Sequence, residues 1–344
     1  MLNATPAFEC ESVQAFVRTN YGIDAVARPL PSERDQNFLL EARNQKFVLK
    51  ISNGLEDAAF LDAQNKVLAH LENRISFCPH VVTTSEGERM TQISSASRQH
   101  YVRVVTYLPG TPLACHGEQS PELLFDFGRK LGQVDSALAD FDHPAIHREF
   151  HWDLAGGVDV IRKHSELIRD PKLRSIVESY CKQFESVAAR SLKNLRRSVI
   201  HGDANDYNVL VSDDRQLSPR IVGLIDFGDM VHSFTVADLA IALAYTMLRK
   251  PHPVDAGTQV VCGYNSEHSL SQVELETLFS LAKLRLCMSV CLAAYQRAQQ
   301  PENAYLDISQ NEIRVQLPGI MEMDEAEVAA VFRNAVATRC MEHS

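Results

Sequence analysis

The segment 199–213, VIHGDANDYNVLVSD, sets His201, Asp203, Asp206 and Asn208 inside a run whose other residues suit a buried strand and its exit loop. Polar groups in such a place cost a few kcal/mol each unless something pairs with them, so the cluster calls for a hydrogen-bond network or a ligand. Four residues separate Asp203 from Asn208, and 23 positions after Asp203 a second acid, Asp226, opens DFGD at the end of another apolar run. Far upstream, Lys50 is the internal lysine of FVLKI. Together these side chains can orient a hydroxyl, ligate a hard cation through oxygen and pair a phosphate. Those are the parts that phosphoryl transfer needs, since the protein contributes positioning and charge neutralisation and little covalent chemistry. In that reading Asp203 orients the acceptor hydroxyl, Asn208 and Asp226 hold Mg2+, and Lys50 pairs the α- and β-phosphates of ATP or GTP. Each part is weak alone; their order along the chain carries the reading.

The elements that must position these residues follow from periodicity. ESVQAFVRTNYG has helical apolar spacing and a glycine stop. QNFLLEA, KFVLKIS and QHYVRVVTYL read as strands of an antiparallel sheet, with turn residues Arg43-Asn44-Gln45 between the first two. A helix over LEDAAFLDAQNKVLAHLEN lies between the second and third strands. After Leu108 the stretch LPGTPL marks a boundary, and helical patterns dominate from SPELLFDFGRKLGQVDSAL onward. Within that second part SVIHGD, NVLVSD and RIVGLIDF form an island of strands, with DDRQLSP as the turn before the last of them. Helices over 237–248 and across QVELETLFSLAKLRLCMSVCLAAYQRA complete it. The expected architecture is α+β and bilobal, protein-kinase-like: a sheet-rich N-lobe at 1–108 that binds nucleotide phosphates, and a mostly helical C-lobe at 109–344 with catalytic loop, metal site and acceptor site.

Composition narrows the partners. The chain has 344 residues, 45% hydrophobic and 23% charged, which suits two lobes and gives no reason for disorder. No stretch is expected to approach the ~18 to 20 apolar residues of a membrane span. The start, MLNATPAFECESVQAF, lacks a basic region followed by an apolar one, so export is not expected. Eight cysteines without a CxxC pair fit a reducing cytoplasm, and Cys287 and Cys291 read as small core residues. A net charge of -10 argues against a nucleic-acid partner and leaves a small cationic substrate open.

VIHGDANDYNVLV followed by VGLIDFGDMVHSFTVADLAIALAY resembles the aminoglycoside phosphotransferase and choline kinase superfamily, and within it the hydroxylysine kinase branch, which is similar to the kinase portion fused to class III aminotransferases. LPSERDQNFLL extends the likeness, which covers about residues 10 to 300. The resemblance implies that Asp203 is catalytic base or hydroxyl orienter and that Asn208, Asp226 and Lys50 act as above. It further implies that Thr106, Tyr107 and Leu108 form a hinge whose backbone bonds the purine. Asp238 would brace the catalytic loop or cap a helix, and His201 would be a structural brace. It also raises the expectation of a longer fusion with an aminotransferase.

Two departures stand out. PSERDQNF, where the phosphate-covering loop belongs, has no glycine, so Ser32 and Asn37 would contribute side chains instead. The helix position that should offer Lys50 a glutamate holds Gln64, with Asp62 and Glu56 nearby. The two departures motivate an alternative, a catalytically silent nucleotide- or partner-binding protein; a metal-dependent hydrolase using His201, Asp203, Asp226 and His232 is a third reading. For the acceptor, Asp229, Asp206 and Asp153 beside Trp152 supply acids that suit an ammonium group, so the expected substrate is an amino alcohol of the hydroxylysine kind. Trp152-Asp153 can also be read as an aromatic anchor followed by an N-cap.

Overall fold

The computed structural model describes residues 5–32, 34–95, 98–188, 191–213, 218–299 and 310–342. The chain divides into two compact units, Met1–Pro109 and Gly110–Ser344, a division that falls one residue after the boundary expected at Leu108.

In the first unit α1 (Cys10–Tyr21) ends at Gly22, whose φ of 66° supplies the left-handed C-cap. Strands β1 (Ala25–Leu30), β2 (Gln36–Ala42) and β3 (Lys46–Ile51) precede α2 (Ala58–Glu72), then β4 (Val81–Val82), β5 (Thr91–Ser94) and β6 (Gln99–Thr106) follow. They form one antiparallel sheet in the order β1-β2-β3-β6-β4, with β5 also on β6. Alternation sorts its faces. Phe38, Leu40, Leu49, Ile51, Val102 and Val104 are all 0% exposed and share a cluster with Val13 and Val17 of α1. The intervening positions place Asn37 opposite Lys50 and Lys50 opposite Arg103, a polar row across three strands on the other face.

The second unit contains β7 (Thr111–Pro112), α3 (Pro121–Leu138), α4 (Gly157–His164), α5 (Pro171–Ala188), β8 (Arg197–Ile200), β9 (Val209–Val211), β10 (Ile221–Leu224), β11 (Val231–Phe234), α6 (Val236–Thr246), α7 (Pro253–Glu267), α8 (Gln272–Gln299), α9 (Gln310–Glu322) and α10 (Glu325–Glu342). Two small sheets, β10-β9-β7 and β11-β8, are antiparallel. Residues 214–217 of the expected turn lie outside the described residues. Every residue of α6 is buried, as an apolar sequence without a polar face requires. Helices α3 and α7 touch backbone to backbone, because Gly263 has no side chain: a Cβ there would lie 2.0 Å from the Phe125 carbonyl oxygen.

The expectation that no segment is long and apolar enough to cross a membrane is corrected by α8, which passes that test by length and composition. Its apolar window is 94% buried inside the protein, where Cys287 and Cys291 are each 0% exposed, so it packs as a core helix. The helix itself was expected across QVELETLFSLAKLRLCMSVCLAAYQRA; Lys283 and Arg285 within it break the continuous apolar run, so it did not read as long enough to span.

Candidate active site

Strand register brings the acids together. In the β8–β11 pair Ile200 faces Val231, so the chain leaving β8 at His201 meets the chain entering β11 at Met230. In the β9–β10 pair Val209 faces Leu224, which puts Asn208 beside Ile225, and the Ile225 amide donates to the Asn208 carbonyl at 2.9 Å. The loop 201–208 and the segment 225–230 are thereby tied at both ends.

The loop itself is held from beneath. Asp238, in the first turn of α6 and 0% exposed, accepts from the His201 and Gly202 amides, each at 2.7 Å. His201 accepts the Asp203 amide on Nδ1 at 3.2 Å, which leaves Nε2 as the ring donor, 3.0 Å from the Ile225 carbonyl oxygen. The imidazole is thus a buried strut between loop and segment. Gly202 has φ 81°, and a Cβ on it would lie 2.3 Å from the Asp229 carbonyl oxygen, so only glycine admits this approach. Asp226 itself adopts φ 67°, ψ 75° at the exit of β10, an uncommon conformation that turns the chain sharply after the strand. Arg148 fixes the far side of that turn, donating to the Gly228 carbonyl at 3.1 Å and the Met230 carbonyl at 3.3 Å.

At the centre, Asp203 Oδ2 accepts from Asn205 Nδ2 at 2.9 Å and Asn208 Nδ2 at 2.8 Å, while Oδ1 accepts from Arg285 Nη2 at 2.7 Å. Burial pushes the Asp203 carboxyl up to about 7; Arg285 pulls it down, and Asp229 and Asp226 push it up. Arg285, on α8 and 2% exposed, lies with its guanidinium carbon 4.3 Å from the Trp152 ring centroid and donates to the Trp152 carbonyl at 3.3 Å. Sequence reasoning missed Arg285. The available signal was a cation inside the apolar run LAKLRLCMSV, where an unpaired charge would be prohibitive.

The expected acceptor acids have different surroundings. Asp229 lies against Gly202 through its carbonyl, and its charge is felt by both Asp203 and Arg285. Asp153 caps a short 3-10 turn, accepting the Ala155 amide at 3.0 Å, and also accepts the Ser233 hydroxyl. Trp152 is the platform under Arg285. Asp206 is buried at 7% exposure, with Arg249 Nη2 3.7 Å from Oδ2; burial pushes its carboxyl up to about 6 and Arg249 opposes this. His232 stacks on His147 with ring centroids 4.4 Å apart, and both His201 nitrogens are engaged in the loop, an arrangement unlike the hydrolase reading.

A hard divalent cation fits the oxygen donors here. Asn208 Nδ2 is committed to Asp203, which leaves the amide oxygen as that side chain's acceptor, and Asp226 adds a carboxylate. One amide and one carboxylate match Mg2+, which is commonly held by one or two side chains with waters and phosphates.

In the first unit, Gln64 is buried and its Oε1 accepts from Arg103 Nη2 at 2.6 Å; Arg103 Nη1 reaches Asn65 Oδ1 at 3.3 Å. Where a Lys50 partner was expected, the helix therefore orients the arginine that neighbours Lys50 on the sheet. Asn37 has a buried Oδ1 without a hydrogen-bond partner among the described residues, and Ser32 is half-buried in the preceding loop, where Glu33 lies outside the described residues. The Thr106 amide donates to the His80 carbonyl at 2.9 Å and the Tyr107 amide to the Lys46 carbonyl at 3.2 Å.

A sheet-rich unit with an internal lysine, and a helical unit with an acid loop beside a second acidic turn, define a kinase-like phosphotransferase. The chain belongs to the phosphotransferase enzyme family, whose match covers residues 26–268, and it is a phosphotransferase acting on a hydroxyl group. It is 32% identical over 339 residues to a hydroxylysine kinase of Danio rerio, 94% of each chain being covered. To a hydroxylysine kinase of Mus musculus it is 31% identical over 355 residues, covering 96% of this chain and 94% of the other. Among solved structures, an amicoumacin kinase in complex with AMP-PNP, Ca2+ and Ami has a TM-score of 0.71 at 14% identity, covering 93% of this chain and 97% of that one. A microcompartment-associated aminopropanol kinase has a TM-score of 0.70 at 17% identity, covering 94% and 98%. These likenesses bear out the expected family and the α+β, protein-kinase-like fold.

Proposed function

We propose that this protein transfers the γ-phosphate of ATP or GTP to the hydroxyl of an amino-bearing small molecule, an amino alcohol of the hydroxylysine kind. The observation that carries the reading is Asp203, held by Arg285, Asn205 and Asn208 while the strand register sets Asp226 beside the same loop. The names of the relatives, hydroxylysine kinase and aminopropanol kinase, support the acceptor class.

In this reading the acceptor hydroxyl donates its hydrogen bond to Asp203 Oδ1, which has lone-pair capacity beyond its bond from Arg285. The three donors fix the carboxylate, so the hydroxyl oxygen is held in line for attack; Asp203 takes up its proton as the new O–P bond forms and the bond from the γ-phosphorus to the β–γ bridging oxygen breaks, leaving the nucleoside diphosphate. Asn208 and Asp226 would hold Mg2+, which supplies neutralisation of phosphate charge. Lys50 pairs the α- and β-phosphates, with Arg103 beside it on the sheet and Asn37 and Ser32 supplying polar side chains near the phosphates in place of glycines. Since the Thr106 and Tyr107 amides bond within their own unit, the purine-facing amide is assigned to Leu108. Asp229 receives the acceptor's ammonium; Asp153 and Asp206 are secondary candidates, because the first already serves as a cap and the second is paired with Arg249.

The test is a panel of hydroxylated amines and matched neutral alcohols, each incubated with ATP or GTP and Mg2+ and read by acceptor-dependent nucleoside diphosphate release and by the mass of the phosphorylated product. Amino alcohols should be phosphorylated and their neutral counterparts poorly so. Equal transfer to both would overturn the acceptor class.

A further inference from the structure

The catalytic loop hangs from Asp238, and Asp238 is not alone. Asp135 of α3 lies beside it, near enough for the two carboxyls to interact, and both residues are 0% exposed. Two interacting carboxylates without solvent cannot both be ionised, so the pair holds one proton. Its location follows from the surrounding donors. Asp238 accepts two backbone amides, one on each oxygen, which favours its anionic form. Asp135 Oδ2 accepts the Tyr264 hydroxyl at 2.5 Å, while its Oδ1 is buried and, as a bare carboxylate oxygen, has no hydrogen-bond donor among the described residues. A proton on Oδ1 removes that deficit by donating to Asp238.

The other charged groups agree with this placement. Burial and the Asp238 charge push the Asp135 carboxyl well up, and Tyr264 and Arg196 oppose the rise. Arg196, just before β8, is itself bound by Glu274 of α8 at 2.8 and 2.7 Å, so its charge is already answered. His201 lies on the loop side of Asp238, and His268 follows α7 beside Tyr264 with ring centroids 5.5 Å apart. We propose that Asp135 is a positioning residue for phosphoryl transfer: as a neutral acid it donates a hydrogen bond to Asp238 and keeps that carboxylate's oxygens on the amides that begin the catalytic loop. Tyr264, brought to Asp135 by the close contact of α3 and α7, orients the acid. The inference rests on the reading of 201–208 as the catalytic loop.

Two substitutions separate the neutral donor from a merely buried residue or an essential anion. In Asp135→Asn the amide nitrogen can donate to Asp238 and the amide oxygen can accept from Tyr264, so kcat with hydroxylysine, or with the best acceptor of the panel, should stay within about threefold of wild type. Asp135→Ala removes the donor; kcat should fall roughly tenfold or more, the worth of a hydrogen bond to a charged group, with both KM values within a few-fold. Hydrogen exchange at the His201 and Gly202 amides gives a readout free of any acceptor: faster in Asp135→Ala, unchanged in Asp135→Asn. Should the alanine variant not fold, the asparagine variant decides by itself. Loss of turnover or faster loop exchange in Asp135→Asn, or full kcat in Asp135→Ala, would overturn the proposal. Asp203→Asn in the same assay checks the underlying reading separately: full turnover there removes the loop's role and this inference with it, whereas a silent Asp203→Asn beside an unimpaired Asp135→Ala overturns this inference alone.

Discussion

Asp203 lies within electrostatic reach of Asp229 and Asp226, and burial raises its proton affinity, so its ability to act as an anion depends on Arg285. The pair differs from a surface ion pair, since the arginine side chain is 2% exposed and the carboxylate 21%. Replacing Arg285 with Met should therefore lower kcat by about ten- to a hundredfold, corresponding to a charge-assisted hydrogen bond of roughly 1.5 to 3 kcal/mol, and leave the nucleotide KM within a few-fold. Steady-state kinetics with each substrate varied separately check this; an equal rise in the nucleotide KM would point to a different role. Asp229→Asn should act on the other substrate, raising the acceptor KM by about ten- to a hundredfold for the same reason. Asp153→Asn should have less effect on that KM, since the Asp153 carboxylate already serves the Ala155 amide and the Ser233 hydroxyl. At this scale the sequence revealed what is local. Asp203, Asn208 and Asp226 lie within one short stretch and could be read by spacing, whereas Arg285, 82 positions from its carboxylate, could be found only through packing. Gln64 gives the same lesson, because its partner Arg103 is 39 positions away on a strand.

The strands and helices act as a clamp on two loops. Pairing of β8 with β11 and of β9 with β10 fixes where the loop and the acidic segment begin and end, and α6 presents Asp238 to the loop's first amides. Gly202 is where these constraints meet. Its substitution by alanine would place a Cβ 2.3 Å from the Asp229 carbonyl oxygen on a backbone with φ 81°. The left-handed backbone alone costs about 1 to 2 kcal/mol for a residue with a side chain, so Gly202→Ala should lower the melting temperature measurably. The clash displaces the acidic segment as well, so kcat should fall further than stability accounts for; wild-type kcat in a destabilised variant would contradict the clamp. Most of these elements were legible from alternation and turn residues. Helix α8 was among them, expected across 272–298 and found at Gln272–Gln299; what its pattern did not give is the partners of its buried Lys283 and Arg285. Lys283 reaches the Met323 carbonyl at 2.8 Å, a long-range contact that local periodicity does not encode.

For the molecule as a whole, 44 acidic against 34 basic residues leave an acidic balance that suits a cationic acceptor. Because screening shortens the reach of such a field to ~10 Å at 0.1 M salt, kcat/KM for an amino alcohol should decline as ionic strength rises, while that for a neutral alcohol should change little. Parallel salt titrations of the two would show it, and identical profiles would remove the acceptor's charge from the account. The most direct test of the central claim is acceptor-dependent phosphate transfer in wild type and Asp203→Asn, with Mg2+–nucleotide affinity measured by calorimetry on both proteins. The wild type should phosphorylate an amino alcohol; the variant should lose about 10² to 10⁴ in turnover, the contribution of a positioned base, while nucleotide affinity stays within a few-fold. Turnover near the wild-type rate in Asp203→Asn would contradict the assignment of the catalytic loop.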